Sequence, residues 1–143
     1  MKIGLDLHGV ISDMPEFFSR LTSSLFFSGF EIHIITGGSK KKALEELTKL
    51  NIRKGFNYTH LFSILDYHIE KDTPQTGWNK EYNNPEFDDE IWDRTKADYC
   101  RKHKIDLMID DSLIYKEYFT TPFARLWTNT NTPKINKPKR HLL

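Results

Sequence analysis

GLDLHGVISD, residues 4–13, joins an apolar run to an acid and then to a turn. The run from Lys2 to Asp6 has the apolar density of a buried strand and stops at Asp6. His8-Gly9 follows at once, and Asp13 and Pro15 then offer a helix N-cap and a first-turn proline. Phe17, Leu21 and Leu25, spaced by four, predict the apolar stripe of a helix that Gly29 ends. A buried strand that feeds a helix is half of a βα unit. An acid at the carboxyl end of such a strand lies where α/β sheets bind their ligands.

The same alternation continues along the chain. Glu31 to Thr36 (EIHIIT) reads as a second strand, rich in β-branched residues. Gly37-Gly38 turns the chain, and Ser39 caps a helix with Ala43, Leu44, Leu47 and Leu50 on its apolar face. His60 to Leu65 is a third, weaker strand. Asp66 to Glu86 is polar, holds Pro74, Gly77 and Pro85, and shows no period, so it reads as a long functional loop or small lid. Asp88 or Asp89 caps a helix running to about Lys104. Asp106 to Asp110 is a fourth strand, Ser112 caps a short helix, and Phe123 to Trp127 is a fifth strand. This order predicts one three-layer α/β domain: a five-stranded parallel sheet with helices on both faces, over residues 1–128. Residues 66–86 are its one small insertion, and 129–143 form a basic tail.

Composition agrees with a real core. The chain is 38% hydrophobic and 13% aromatic, with ten Phe, which argues against wholesale disorder. No apolar run approaches the roughly 20 residues of a membrane helix. Met-Lys-Ile-Gly leads straight into a strand pattern, so no signal peptide is read and a cytoplasmic protein is expected. Cys100 is the single cysteine, which leaves no disulfide framework or Cys-rich zinc site. Net charge is +1, so nucleic acid is not favoured as a partner; a homo-oligomer is compatible with everything read here.

The predicted strand ends carry the chemistry. Strand one ends at Asp6, strand two at Thr36, and strand four at Asp110-Asp111, while Lys96 lies on the helix that feeds strand four. Carboxylates brought together repel unless a cation sits among them, and hard oxygen ligands suit Mg²⁺. Four short motifs in this order resemble those of the haloacid dehalogenase (HAD) superfamily phosphatases. They are Asp6-Leu7-His8-Gly9-Val10, Thr36 in IITGG, Lys96, and Asp110-Asp111 in LMIDDS, together spanning residues 1 to about 127. DLHGVISD is also similar to the start of that superfamily's 5′-nucleotidases, with an acid at the position of Asp13.

The resemblance implies a nearly capless Mg²⁺-dependent phosphomonoester hydrolase acting on a small phosphorylated substrate such as a nucleotide. By it, Asp6 attacks phosphorus and forms an aspartyl-phosphate. Asp6, the backbone carbonyl of His8, Asp110 and Asp111 would hold the metal. Thr36, Gly37 and Lys96 would bind the phosphoryl oxygens. One position departs from the pattern: the usual second acid is His8. Imidazole gives and takes protons near neutral pH, so His8 either replaces that acid, serves poorly in its place, or marks a relative that only binds a phospho-ligand or protein.

LDLHG also resembles the first motif of calcineurin-type metallophosphoesterases, but their remaining ligand motifs are absent. Other residues have plainer readings. Asp13 reads as a cap, and His33 and His60 as structural strand histidines. Lys71 and Lys80 are rivals of Lys96. Trp78 and Tyr82 are loop aromatics that either pin the loop or stack on a substrate. Lys134, Lys137, Lys139, Arg140 and His141 make a solvated terminus with a phosphate contact as the alternative.

Overall fold

Five parallel strands make the central sheet: β1 (Lys2–Asp6), β2 (Glu31–Thr36), β3 (His60–Ser63), β6 (Leu107–Asp110) and β7 (Phe123–Arg125), in the order β3-β2-β1-β6-β7. The coordinates are a computed structural model that describes residues 1–128, and the basic tail lies outside the described residues. The chain winds outward from β1 to β3, then crosses back to β6 and β7. Strand order therefore reverses between β1 and β6, and sheets of this kind bind their ligands beyond the carboxyl ends of such a pair.

Alternation along the strands sorts the core into two faces. Ile3 and Leu5 of β1 and Ile32 and Ile34 of β2 point to one side. There they meet Phe18 of helix α1 (Pro15–Phe27) and Ala43 and Leu47 of helix α2 (Lys40–Lys49). Ile35 and Met108 point to the other side, against Cys100 of helix α4 (Asp89–Lys102). Gly4 faces the same way. A Cβ there would lie 2.8 Å from the Met108 sulfur, so glycine lets that layer close without moving Met108. The result is the expected Rossmann-like α/β arrangement, a parallel sheet flanked by helices. Among the described residues no helix is long and apolar enough to cross a membrane.

Several local expectations change. The buried face of α1 is Phe18 and Thr22, while Phe17 is 52% exposed. The spacing of Phe17, Leu21 and Leu25 was regular, but Phe18, Leu21, Thr22 and Leu25 follow the i, i+3, i+4, i+7 pattern of a helix face better. Asp13 does not cap α1. Its N-cap is Met14, which makes no side-chain bond, and Asp13 instead accepts from the Thr128 hydroxyl at 2.9 Å. β3 ends at Ser63, because Ser63 is itself a cap whose hydroxyl accepts from the Asp66 N–H at 3.0 Å. Residues 66–86 are accordingly not one loop. Helix α3 (Ile64–Glu70) buries Ile64, Leu65 and His68, and β4 (Gly77–Asn79) pairs antiparallel with β5 (Asn84–Glu86). Three-residue strands are too short to show a period. Trp78 and Tyr82 sit on this hairpin and are exposed.

His68 gives the core a pH dependence. Its Nε2 lies 2.8 Å from the Thr95 hydroxyl, which itself donates to the Ile91 carbonyl at 2.7 Å; its Nδ1 lies 2.8 Å from the Thr73 hydroxyl. The arrangement suits neutral imidazole. Burial first, and the Lys71 charge second, hold His68 below the ordinary histidine value of 6.5. The native state thus binds the proton less readily than the unfolded chain. The stability His68 contributes is complete above about pH 6.5 and is lost as pH falls through its lowered native value. Urea unfolding between pH 7.5 and 5.5 should show this decline, at most about 1.4 kcal/mol per pH unit for one group. His68→Gln, which keeps a donor but does not titrate, should make it shallower; His33 and His103, also lowered by burial, would keep part of it.

Candidate active site

The three central strands end in polar side chains at one edge of the sheet. Asp6 closes β1, Thr36 closes β2 and Asp110 closes β6. Register sets them side by side, since Leu5 pairs with Ile109 and Asp6 pairs with Ile35. Asp6, Asp110 and Asp111 each bring a carboxylate oxygen within 4.8 Å of the other two.

Lys96 of α4 reaches into this group. Its Nζ lies 3.1 Å from Asp6 Oδ1 and 2.8 Å from Asp110 Oδ2, with all three side chains buried. Nζ also sits 4.7 Å from the centre of the Tyr115 ring, whose π face favours a cation. Lys71 and Lys80 are exposed and take no such position, so Lys96 is the lysine of the site. One ammonium faces three carboxylates. Burial, then Asp110, pushes Asp6 well above the usual carboxylate range despite Lys96. Burial and Asp110 raise Asp111 as well. Burial alone would lower Lys96, but the Asp110 and Asp6 charges overcome it and hold the ammonium well above the ordinary lysine value. A further cation beside Asp6 and Asp111 would oppose this upward push and favour their ionised forms.

The unsatisfied atoms point to what is missing from that balance. Asp6 Oδ2, Asp111 Oδ1 and Thr36 Oγ1 are buried with no hydrogen-bond partner, which is rare for polar atoms at this depth. Asp110 differs: Oδ1 accepts from the Ser112 N–H at 3.0 Å and Oδ2 from Lys96. Asp6 Oδ1 likewise accepts from the Leu7 N–H at 3.0 Å and faces Lys96. Two buried hard oxygens and one hydroxyl are left over, a donor set that fits a divalent cation and an anionic oxygen.

The backbone beyond Asp6 is shaped around the same spot. Residues Leu7–Ile11 form a tight turn in which Gly9 has φ +83°. A Cβ at Gly9 would overlap the Asp111 carboxylate, so this glycine allows main chain and acid to touch. Gly37 is buried in the turn after β2. That turn is tied to β3 by the Ser63 hydroxyl, which donates to the Gly38 carbonyl at 2.6 Å.

His8 leaves the turn toward α2. Its Nε2 lies 2.7 Å from Glu46 Oε2, and its Nδ1 is buried without a partner. A carboxylate on Nε2 favours the tautomer with Nε2–H and fixes the ring's orientation. Sequence reasoning missed Glu46, because a charge on the polar side of an amphipathic helix looks like a solvated one. It also missed Tyr115 beneath the ammonium and Arg125, whose Nε donates to the Asp111 carbonyl at 3.0 Å. The fold thus defines an α/β protein with a buried carboxylate–lysine cluster at its strand-order switch point. No protein-family model, curated protein or solved structure matches the chain.

Proposed function

We propose that the chain is a Mg²⁺-dependent phosphomonoester hydrolase of the HAD superfamily, with a nucleotide or other small phosphorylated metabolite as substrate. The observation that carries this reading is the buried Lys96 bridge between Asp6 and Asp110, beside the partnerless oxygens of Asp6, Asp111 and Thr36.

Asp6 is the nucleophile. Its oxygen forms a bond to phosphorus as the bond from phosphorus to the leaving-group oxygen breaks, which yields an aspartyl-phosphate and an alcohol. His8, held by Glu46, protonates the departing oxygen. It then removes a proton from the water that attacks phosphorus, which frees phosphate and restores Asp6. Thr36 and the turn at Gly37 hold the phosphoryl oxygens, and Lys96 stabilises their growing charge. Asp6, Asp111 and the His8 carbonyl, with Asp110 beside them, would hold Mg²⁺, which would supply a further positive charge for those oxygens. Among the described residues the β4–β5 hairpin is a small insertion between α3 and α4, and no larger inserted unit is present.

A second reading is a phospho-ligand-binding module with little or no turnover. It is favoured by the single departure from the family pattern, His8 with Nε2 tied to Glu46. Hydrolysis of p-nitrophenyl phosphate separates the two. The enzyme reading expects turnover that a chelator abolishes and Mg²⁺ restores, and a fall of roughly 10²–10⁴-fold in His8→Ala. Tight Mg²⁺-dependent binding of beryllofluoride with no turnover selects the module.

A further inference from the structure

A second cluster of metal-ligating side chains lies at the other end of the sheet. Glu31 and His33 stand two apart on β2 and so face the same side. His60 on β3 pairs in register with His33. Glu31, His33 and His60 each offer a ligand atom within 4.8 Å of the other two. Glu31 Oε1 lies 2.6 Å from His33 Nε2 and 3.7 Å from His60 Nδ1. Five residues of strand, roughly 16 Å, separate Glu31 from Thr36, so this group is remote from the Asp6 cluster.

We infer that Glu31, His33 and His60 form a site for a borderline transition-metal ion, best matched by Zn²⁺, that clamps the edge strand β3 to β2. Two imidazoles and a carboxylate are a known zinc donor set, with a fourth position for water. The His33 side chain is fully buried between the strand pair and α4, so its place in the donor set is fixed by packing. Its other nitrogen, Nδ1, is 2.6 Å from the Tyr99 hydroxyl on α4. A hydroxyl both donates and accepts, so Tyr99 supports the tautomer with Nδ1–H that frees Nε2 for metal.

His33 Nε2 and Glu31 Oε1 now share a hydrogen bond. The ion would replace it, and the two atoms would part by roughly 0.7 Å, to about 3.3 Å, so that each could bond a tetrahedral ion at about 2.0–2.1 Å. His60 now stacks on His33, ring centres 4.3 Å apart. Its side chain is 51% exposed, so it is free to turn and aim Nδ1 at the same point. The Lys2 ammonium, 3.9 Å from Glu31, is a surface contact that the ion displaces. His103 at the end of α4 lies beyond, its ring 5.6 Å from that of His33.

The clamp has a structural use. β3 is four residues long and, among the described residues, pairs with β2 alone, so it is the least supported strand on its side of the sheet. An ion that binds the native pairing and not the unfolded chain stabilises that edge.

The test is zinc titration of the intact chain in excess Mg²⁺, read by calorimetry and thermal unfolding, with His60→Ala and Glu31→Gln alongside. Both substitutions sit on exposed or partly exposed positions and spare the buried His33. Wild type should bind one more zinc equivalent than either variant. Its unfolding midpoint should rise by roughly 10 °C at a hundredfold excess over the dissociation constant, and this rise should be absent in both variants. Co²⁺ should give the strong visible absorption of a tetrahedral site in wild type alone. No zinc-dependent rise in wild type, or an undiminished rise in either variant, overturns the assignment. Because the Asp6 cluster is intact throughout, failure here leaves the phosphatase reading untouched.

Discussion

Asp6→Asn is expected to lower phosphatase turnover by roughly 10⁴–10⁶-fold, the range found when a covalent nucleophile is removed, with the fold retained. Asparagine keeps the shape of the side chain. Its carbonyl oxygen can take the place of Oδ1 and still accept from the Leu7 N–H and Lys96. Its amide nitrogen then falls where Oδ2 lies without a partner, and that nitrogen cannot attack phosphorus. Stability should not fall. Asp6 is held well above its ordinary value by burial and by Asp110, so its ionised form is the strained one and the neutral amide removes that repulsion. Urea unfolding without metal should therefore show no loss, or a gain of about 1 kcal/mol. Turnover near the wild-type rate in a folded Asp6→Asn protein would exclude an aspartyl-phosphate on this residue.

Lys96→Met should have the largest effect on stability, a loss of about 3–5 kcal/mol, as when one partner of a buried ion pair is deleted. Methionine fills the channel but leaves Asp6, Asp110 and Asp111 without the ammonium. The Lys96 value is raised in the native state, so its contribution is complete below the ordinary 10.5 and is lost only as pH climbs through the higher native value. At neutral pH the whole of it is removed. The deficit relative to wild type should shrink as pH falls. Carboxylates with raised native values bind protons more readily when folded, and each bound proton replaces part of the missing charge. Added Mg²⁺ should also recover part of the deficit, whereas Lys71→Met and Lys80→Met should change little at their exposed positions. A Lys96→Met protein as stable as wild type at pH 7 would mean the three acids share protons well enough without the lysine.

The residues legible in the sequence were those whose position follows from a strand. Asp6, Thr36 and Asp110 end apolar, β-branched runs, and parallel pairing carries strand ends to one edge. Lys96 was legible because its helix feeds β6. What stayed hidden depends on distance across the fold. Glu46 lies in the middle of α2, ten residues beyond the end of β2, and becomes a partner of His8 only when α2 packs. Tyr115 lies under the ammonium because a short 3₁₀ turn, Leu113–Tyr118, folds back toward α4. The β4–β5 hairpin escaped because its strands are three residues long and one contains Pro85. The family resemblance remains a reading of motif residues, and the geometry at Asp6, Lys96 and Asp111 is the physical reason to test it.

Helix α4 fastens three separate parts of the molecule within two turns. Thr95 meets His68 of α3, Lys96 meets Asp6 and Asp110 of the central strands, and Tyr99 meets His33 of β2. It works as a spline: a small axial slip would shift all three fastenings together. Energies of substitution at Thr95, Lys96 and Tyr99 should therefore not add, although their side chains touch different partners. An engineer who wishes to retune this protein could treat the helix as one adjustable part, and would find no way to alter one fastening in isolation.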